Sequence, residues 1–394
     1  MQTFRCCCKK GEEKYKGIEL PVYTNSATSG VISQEDYFDR EIVTKENLVN
    51  YGIIEPNDFV YNPRVSVTAP VGPISRNKLS RGIMSPLYLM FGFNGGDINF
   101  FEHYFKGNSW HNYLRAKANY GARFDRINIG TKEFMDMPVP YPSLAEQKKV
   151  ADCLSSLDKY IDATKRKLDL LKEYKKGLMQ RLFPAKGKTT PELRFPEFQN
   201  DGEWKIVLLK DFTERLKSKV GNARLRPVSI SAGIGFVDQK NKFGRDISGN
   251  QYSNYIELKK GEFAYNKGNS IKYPQGCVYQ LKEFDIVACP NVFVCFRIIN
   301  NDVYPDFISA YFASNYHGKQ LQQHITSGVR SNGLLNISAE TFLGIRIPLP
   351  SVSEQKKIAD CLSSLDKYID ETSCKLEQLK GHKSGLMQQL FPRL

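Results

Sequence analysis

The side chains of this sequence that could do chemistry are basic and amide residues placed near glycine, serine and asparagine. Arg, Lys and Asn pair with the edges of nucleic-acid bases, while Lys, Ser and backbone amides hold phosphates. In the first part of the chain these candidates are Asn25, Ser26, Asn62, Arg64, Arg76, Lys78, Arg115, Arg123 and Arg126. In the second part they are Ser229, Ser231, Lys240, Lys242, Arg245, Asn266, Lys267, Lys272, Arg330, Ser331 and Asn332. A position on a solvated surface loop explains any one of these residues taken alone. The prediction of nucleic-acid contact therefore rests on the whole set.

The net charge favours a polyanionic partner. The 394 residues include 56 Lys and Arg against 42 Asp and Glu, which gives +14 at pH 7. Nucleic-acid-binding proteins show such an excess, although ribosomal and membrane-surface proteins share it. No apolar run approaches the roughly 18 residues of a membrane span, and the start of the chain lacks the apolar core of a signal peptide. We therefore expect a cytoplasmic protein that does not bind membranes.

Recognisable catalytic motifs are missing from the sequence. Adenine methyltransferases carry Asn/Asp-Pro-Pro-Tyr/Phe, and the nearest string here, Tyr61-Asn62-Pro63-Arg64, fails at the second proline. Gly187-Lys188-Thr189 resembles the end of a phosphate loop but lacks the upstream glycine. The nine cysteines include no Cys-x-x-Cys pair, so we predict reduced thiols and no metal site. The chain is expected to catalyse nothing alone and to bind no cofactor of its own.

Two alternatives from other functional classes remain open. Asp246, Glu257 and Lys259 could form an Asp…Glu-x-Lys nuclease site, although such matches arise readily by chance in a chain that is 25% charged. The chain could also be a coiled-coil scaffold whose two domains bind proteins.

A long helical segment that occurs twice must position all these candidates. Residues 146–184 and 354–392 align without gaps at a constant offset, and most aligned positions are identical. Apolar residues recur in steps of four and three in both copies, with Thr164 and Lys175 interrupting the first stripe and Thr372 and Lys383 the second. This heptad pattern predicts two coiled-coil helices.

The helix starts carry capping signals. Ser143 and Ser351 are the predicted N-caps, and Glu146 and Glu354, three residues on, are predicted to complete capping boxes. Each helix should end at its Phe-Pro, because the residue before a proline is disfavoured in a helix.

Two such stripes in one chain most economically bury each other as an antiparallel pair, and the alternative is pairing with another chain. Exposed positions match as well: Asp152 with Asp360, Asp158 with Asp366, and Lys159 with Lys367. Packing of the seams against each other does not explain matched exposed faces. A shared duplication origin is one explanation. The other is that each face binds one copy of the same partner about a pseudo-two-fold axis.

The segments ahead of the helices look alike in design but not in sequence. Residues 1–142 and 209–350 contain short β-rich runs broken by Gly, Asn and Pro. Weak sequence similarities align 22–26 with 228–232 and 61–63 with 265–267. With 143–184 and 351–394 as spacer helices and 185–208 as linker and lead-in to the second half, the sequence predicts an α+β fold. Two α/β domains alternate with two long helices that pair as an antiparallel coiled coil.

The helices begin Pro-x-x-x-Glu-Gln-Lys-Lys-(Val/Ile)-Ala-Asp and end Gly-Leu-Met-Gln-x-Leu-Phe-Pro. This organisation resembles the DNA-specificity subunit of a type I restriction–modification system. Residues 191–196 with Trp204 also resemble the start of a target-recognition domain in that family. The first half has no counterpart of this segment, since at the helix offset Met1 aligns with Leu209. We therefore expect its first domain to be shortened or to start differently.

The resemblance implies that each target-recognition domain reads one half of a gapped, asymmetric site in double-stranded DNA and that the helix pair sets the gap. It also implies two methyltransferase subunits docked on the helices and two restriction–translocase subunits. S-adenosylmethionine, ATP and Mg²⁺ would bind those partner chains. The candidates for methyltransferase contact are Asp152, Asp158, Lys159, Asp360, Asp366 and Lys367. A silent or orphan subunit, used only after recombination, is a further alternative.

Overall fold

The computed structural model describes residues 2–3, 8–10, 19–37, 48, 50–118, 125–268, 273–325 and 335–391. The chain divides into two compact units, residues 1–166 with 373–394, and residues 167–372. Each unit contains one β-rich domain, the first part of the long helix that follows that domain, and the last part of the other long helix.

The strands of the two domains occur in the same order. In the first domain they are β1 (Gln2–Thr3), β2 (Cys8–Lys10), β3 (Val22–Ser26), β4 (Gly30–Ser33), β5 (Gly52–Ile54), β6 (Phe59–Tyr61), β7 (Ile74–Arg76), β8 (Gly82–Met84), β9 (Leu89–Phe93) and β10 (Pro138–Val139). In the second they are β11 (Lys205–Leu208), β12 (Thr213–Arg215), β13 (Arg226–Ser231), β14 (Gly235–Asp238), β15 (Ile256–Lys259), β16 (Phe263–Asn266), β17 (Cys277–Gln280), β18 (Ile286–Cys289), β19 (Val294–Ile298) and β20 (Arg346–Leu349).

Each domain arranges these strands in two four-stranded sheets and one two-stranded ribbon. The first domain has the orders β2-β9-β6-β7, β4-β3-β8-β5 and β1-β10, and the second has β12-β19-β16-β17, β14-β13-β18-β15 and β11-β20. Only β3 with β8 and β13 with β18 pair in parallel among the strands described. The two domains therefore share one topology, although their sequences barely resemble each other.

The helices of the first half are α1 (Gln34–Tyr37), α2 (Ile98–Lys106), α3 (His111–Lys117), α4 (Thr131–Met135) and α5 (Leu144–Leu182). Those of the second half are α6 (Leu209–Phe212), α7 (Gln239–Phe243), α8 (Pro305–Ala313), α9 (Tyr316–Leu321), α10 (Ala339–Leu343) and α11 (Val352–Leu390). Single 3-10 turns cover Pro196–Phe198, Gly249–Asn254 and Gln322–His324. None of the helices in the described part of the chain combines the length and the apolar character that a membrane crossing needs.

The strand register corrects one alignment made from the sequence. Ser26 pairs with Gly30 across the β3–β4 turn, as Ser231 pairs with Gly235 across the β13–β14 turn. Residues 22–26 therefore correspond to 227–231 and not to 228–232. An alignment by residue identity is wrong by one residue here, because the turn and not the residue identity fixes the register of a hairpin.

The pairing of β1 corrects a second alignment. Gln2 pairs with Val139, and Val207 pairs with Ile347. Val139 and Ile347 are equivalent positions at the helix offset. Gln2 thus corresponds to Val207. The alignment of Met1 with Leu209 is therefore wrong by three residues. The first domain has the ribbon strand that the second domain has, at the same place against the strand before the long helix.

The predicted equivalence of Tyr61 and Tyr265 is confirmed. Each hydroxyl donates to a backbone carbonyl ten residues on, at 2.9 Å and 2.7 Å, and each ring stacks on the phenylalanine of the short helix before the ribbon strand. Gly72 and Gly276 have φ of +79° and +80°, and a Cβ there would lie 2.1 Å and 2.4 Å from the carbonyl oxygens of Asn62 and Asn266. Only glycine tolerates both this φ and this close approach.

The two long helices begin where the capping signals predict. The backbone N–H groups of Glu146 and Glu354 donate to the hydroxyls of Ser143 and Ser351 at 3.3 Å and 3.4 Å. Both helices are 39 residues long and end one residue before Phe-Pro.

Within each unit the two long helices run antiparallel, as the heptad pattern predicts. In the first unit Lys375 lies over the ring of Tyr160, and Lys383 bonds to Asp158, so the partner numbers rise as the α5 numbers fall. In the second unit the equivalent contacts recur, with Lys167 over Tyr368 and Lys175 bonded to Asp366.

The interruptions of the seam are satisfied within this pairing. Lys175 and Lys383 each reach the aspartate of the other helix. The hydroxyls of Thr164 and Thr372 are buried and donate to the carbonyl oxygens of the residues four positions earlier, at 2.8 Å and 2.7 Å. A polar seam residue with a bonded partner costs little stability and fixes the register of the pair.

The domain cores extend onto the helix ends. In the first unit Ala151 and Leu154 of α5, and Phe391 just beyond α11, join the aromatic core around Phe100 and Tyr104. In the second unit the core around Phe307 and Trp204 takes up Leu182 and Phe183 from the end of α5 and Ile358 and Leu362 from the start of α11.

We expect Leu154→Ala to lower the free energy of unfolding by about 2–5 kcal/mol, because the side chain is fully buried in this core. Leu170→Ala on the same helix is the matched control, since Leu170 is 65% exposed, and it should change the value by less than about 0.5 kcal/mol. Urea unfolding followed by circular dichroism measures both. Equal losses for the two variants would contradict the assignment of the buried stripe.

Candidate nucleic-acid and subunit interfaces

Three candidates of the first domain are used inside the fold. The amide of Asn25 is buried and donates to the carbonyl oxygens of Val60 and Pro73 at 3.1 Å and 3.3 Å. The hydroxyl of Ser26 accepts from the backbone N–H groups of residues 28 and 29, both at 3.3 Å. Asn62 donates to the carbonyl oxygen of Asn25 at 2.9 Å. These side chains shape the β3–β4 turn and the end of β6, and their contact with DNA remains a prediction.

The second domain builds the same place with an equivalent asparagine, Asn266, and with otherwise different residues. Ser229 and Ser231 are half-buried on β13, and the carbonyl oxygen of Ile230 between them accepts from Lys242 at 3.0 Å and from Asn266 at 3.5 Å. Burial lowers the pKa of Lys242. The structure therefore brings four predicted residues together around one backbone carbonyl.

Arg76 and Lys78 belong to an ion cluster around a buried carboxylate. Glu102 receives Arg76 at 3.2 Å, Lys78 at 2.7 Å and Lys106 at 2.8 Å. Burial opposes its charged form, but the hydrogen bonds from Lys106 and Lys78 outweigh this and lower the pKa of Glu102 to about 2. Asn57 and Asn99 hold the guanidinium of Arg76 as well. Arg76 is thus a structural residue first, whereas the side chain of Lys78 is 62% exposed.

The remaining described candidates lie at or near the surface. Arg64, Arg115, Lys240 and Arg245 are exposed, Arg126 and Lys267 are half-buried, and a backbone bridge joins Arg64 to Arg126. Lys267 donates to the carbonyl oxygen of Ile337 at 3.3 Å. Arg123, Lys272, Arg330, Ser331 and Asn332 lie outside the described residues.

The three residues of the alternative nuclease site make contacts with residues close to them in the sequence. Asp246 accepts from the backbone N–H and hydroxyl of Ser248 at 2.8 Å and 2.6 Å, and Glu257 lies 3.4 Å from Lys259. Across the described ranges no group of His, Cys, Asp or Glu is arranged to hold a metal ion.

The matched residues on the long helices fall into two sets. Asp152, Lys159, Asp360 and Lys367 are exposed, and no hydrogen bond or ion pair among the described residues explains why they match. Asp158 and Asp366 differ, because each bonds to the seam lysine of the other helix. Packing of the helices against each other therefore explains that identity, which the sequence reasoning had assigned to an outer face. Their role in methyltransferase contact remains a prediction.

Asp158 also faces a buried histidine. The Nδ1 of His103 lies 3.9 Å from Asp158, and its Nε2 lies 2.9 Å from the hydroxyl of Ser155. Burial lowers the pKa of His103 to about 4, so the ring is neutral at pH 7. Ser155, which matches Ser363 in the other copy, is therefore tied to the first domain.

The glutamine of the Glu-Gln pair at each helix start fixes the helix to its domain, a role that the sequence reasoning missed. The side chain of Gln147 accepts from the backbone N–H of Asp97 at 2.8 Å and donates to the carbonyl oxygen of Pro142 at 2.9 Å. Gln355 accepts in the same way from Tyr304 at 2.8 Å and donates to Pro350 at 3.0 Å. Both amides are buried, and each one orients the cap residue of a domain helix.

Among the described residues, Glu354 has an ion-pair partner that Glu146 lacks. Arg194 binds both carboxylate oxygens of Glu354 at 2.8 Å and donates to the carbonyl oxygens of Asp201 and Gly202. These bonds to Glu354 are the main reason that the pKa of Arg194 is raised. Glu354 is 1% exposed, whereas Glu146 is exposed. The predicted capping boxes thus form only their serine half, and the glutamate of the second helix anchors the linker instead.

A family model described as the type I restriction modification DNA specificity domain matches residues 5–173 and 182–380. Together the two matches cover most of the chain. This chain belongs to that family.

Family members with curated names are distant in sequence. The chain is 26% identical over 278 residues to the type I restriction enzyme MjaVIII specificity subunit of Methanocaldococcus jannaschii, covering 67% of this chain and 63% of that protein. It is 23% identical over 324 residues to the EcoKI specificity subunit of Escherichia coli, covering 79% and 66%. The matched region thus spans less than two thirds of each of these relatives.

The fold is that of a type I S subunit. A crystal structure of the S subunit of a type I restriction–modification system from M. genitalium matches with a TM-score of 0.55 at 16% identity, covering all of this chain and 96% of that one. The predicted fold class of two α/β domains alternating with paired long helices is thereby confirmed.

We expect Arg194→Ala to destabilise the second unit by about 3–5 kcal/mol, because it leaves the buried Glu354 without its partner. Arg181→Ala is the control. The Arg181–Glu192 pair has a similar 2.8 Å contact but is exposed on both sides, so its loss should cost less than about 1 kcal/mol.

Urea unfolding of both variants checks this expectation. The double variant Arg194→Leu with Glu354→Leu should recover most of the loss, since no charge stays buried. Similar losses for Arg194→Ala and Arg181→Ala would show that the buried pair is not an anchor.

Proposed function

We propose that this chain is the sequence-specific DNA-recognition subunit of a type I restriction–modification complex and is not itself catalytic. The observation that supports this most is the presence of two domains with one topology and dissimilar sequences, each followed by a nearly identical helix. A repeated scaffold with different domains suits the recognition of two different half-sites. Each domain would read one half of a gapped, asymmetric site in double-stranded DNA, and the helix pair would set the gap.

Phosphate contacts would supply most of the affinity. The exposed cations Arg64, Arg115, Lys240 and Arg245 and the net charge of +14 favour binding that weakens as salt rises. Base contacts in the two domains would supply the specificity. The candidates that bond within the fold, such as Asn25 and Asn62, would act by shaping the turns that carry such contacts.

The partners follow from the helices. Asp152 and Lys159 on α5 and Asp360 and Lys367 on α11 are exposed and matched, so each helix would present one equivalent face to one methyltransferase subunit. Two restriction–translocase subunits would complete the complex. S-adenosylmethionine would be bound by the methyltransferase chains, and ATP and Mg²⁺ by the translocase chains.

Co-expression with a type I methyltransferase subunit from the same host, followed by genome-wide mapping of methylated adenines, tests the proposal. A single gapped, asymmetric motif is the expected result. A stable complex without any methylated motif would contradict sequence-specific recognition. Failure to form a complex would favour the scaffold alternative.

We expect four residues inserted after Arg166, and four at the equivalent position after Cys374, to lengthen the gap of that motif by one or two base pairs. Four helical residues add about 6 Å, against about 3.4 Å per base pair. A coiled coil accommodates a four-residue insertion by slight unwinding. Methylation mapping gives the new gap directly.

The matched control inserts the same four residues between Lys186 and Gly187, in the exposed linker outside both helices. This control should leave the gap unchanged. An unchanged gap in the helix variant, with methylation retained, would refute the spacer role.

A further inference from the structure

A cleft of about 660 Å³ in the first unit is lined both by the first domain and by the last turns of α11. The domain contributes the hydroxyls of Thr28 and Ser75 and the side chain of Lys78. The helix contributes Lys380, Ser384 and Gln388. Packing of the end of α11 against the first-domain core brings the two linings together, but neither spacing nor subunit docking accounts for the polar donors that line the cleft.

The cleft is positively charged. The described residues that line it include five cations and one carboxylate, Glu102, which is buried beneath three of those cations. A fourth cation, Lys383, is held by Asp158. Lys380 contacts only an exposed residue, Glu377 at 2.8 Å, among the ion pairs of the described chain. Such an exposed pair is weak, so Lys380 can exchange it for an incoming anion.

The charge of α11 is graded toward this cleft. Residues 352–372 contain three lysines against five acidic residues, whereas residues 373–390 contain three lysines against one. The basic end is therefore the end that lies beside the first domain. At the helix offset, Lys380, Ser384 and Gln388 correspond to Lys172, Lys176 and Gln180 in α5, so the donor character of this face recurs in the other copy.

Spacing along the helix makes these three residues a row. Positions four apart lie on one helix face, about 6 Å apart along the axis. The row consists of an ammonium, a hydroxyl and an amide, all of them exposed hydrogen-bond donors. The hydroxyls of Thr28 and Ser75 add neutral donors from the domain side. Lysine with neutral hydroxyl and amide donors is the set that proteins use on phosphate oxygens.

We propose that Lys380, Ser384 and Gln388 bind the phosphate backbone of DNA beside the first domain. The last turns of the second long helix then complete the DNA-contacting surface of a domain that lies more than 200 residues earlier in the sequence. This inference rests on the proposed function and adds to it a second task for the helix.

The test uses the complex of the full chain with its methyltransferase partner and a duplex carrying the methylated motif. Lys380→Gln should weaken binding about fivefold at 0.15 M salt and reduce the slope of log Kd against log salt by about 0.9. The loss should be the same on a duplex without the motif, because phosphates carry no sequence.

A gain-of-contact variant makes the test sharper. Ser384→Lys introduces the residue that the other copy has at Lys176, and it should steepen the slope by about 0.9. Lys149→Gln is the matched control, since it removes one exposed charge from a long helix of the same unit outside the cleft. It should leave both the affinity and the slope unchanged.

Two results would overturn the inference while leaving the proposed function intact. Unchanged slopes for Lys380→Gln and Ser384→Lys, in complexes that still bind the motif, would exclude phosphate contact. Loss of methyltransferase co-purification in Lys380→Gln, with an unaltered slope for whatever complex remains, would assign the cleft to an acidic segment of that partner. A wild-type complex that binds no duplex specifically would instead refute the proposed function itself.

Discussion

The constraint on which the rest of the structure depends is that each compact unit buries the end of a long helix that does not follow its own domain. Phe391 packs against Phe100 and Tyr104 at ring distances of 5.3 Å and 5.6 Å, and Ser109 donates to its carbonyl oxygen. Phe183 packs against Phe307 at 5.3 Å. Each unit therefore combines two separate stretches of the chain. The helix ends are core residues and cannot vary as linker residues would.

This constraint explains why the buried and seam positions of the two helices match while the domains differ. A long helix must fit its own domain at its start, through the buried glutamine, and the other unit at its end, through the buried phenylalanine. Between these points the ion pairs of Lys175 and Lys383 fix the register of the pair in both units. A substitution at one of these positions would disturb a packing or ion-pair contact whose equivalent the other helix also makes. The domain loops carry no such double requirement, so they are free to diverge on a common topology.

The sequence predicted the parts of this structure that depend on local pattern. Heptad spacing predicted the two helices, and the residues at their starts predicted the serine caps, because each of these depends on residues a few positions apart. The antiparallel pairing followed from the presence of two such stripes in one chain. It failed where a contact joins distant residues. Nothing local marks Asp158 as the partner of Lys383, or Gln147 as the anchor of Asp97. Composition likewise placed Asn25 and Arg76 among candidates for nucleic-acid contact, although backbone carbonyls and Glu102 occupy them within the fold.

The two halves are equivalent in topology but not in how firmly their helices are anchored. Glu354 is buried and bound at both oxygens by Arg194, which ties the linker to the start of α11. The equivalent Glu146 is exposed and makes no such bond in the described structure. A charge pair with nine-tenths of both side chains buried stabilises only when both partners are present, so it makes the geometry at the start of α11 more exacting. The start of α5 relies on Gln147, on the hydrogen bond between His103 and Ser155, and on apolar packing. Among the described residues, the anchor at the start of α5 therefore contains no buried charge pair, whereas the anchor at the start of α11 depends on one.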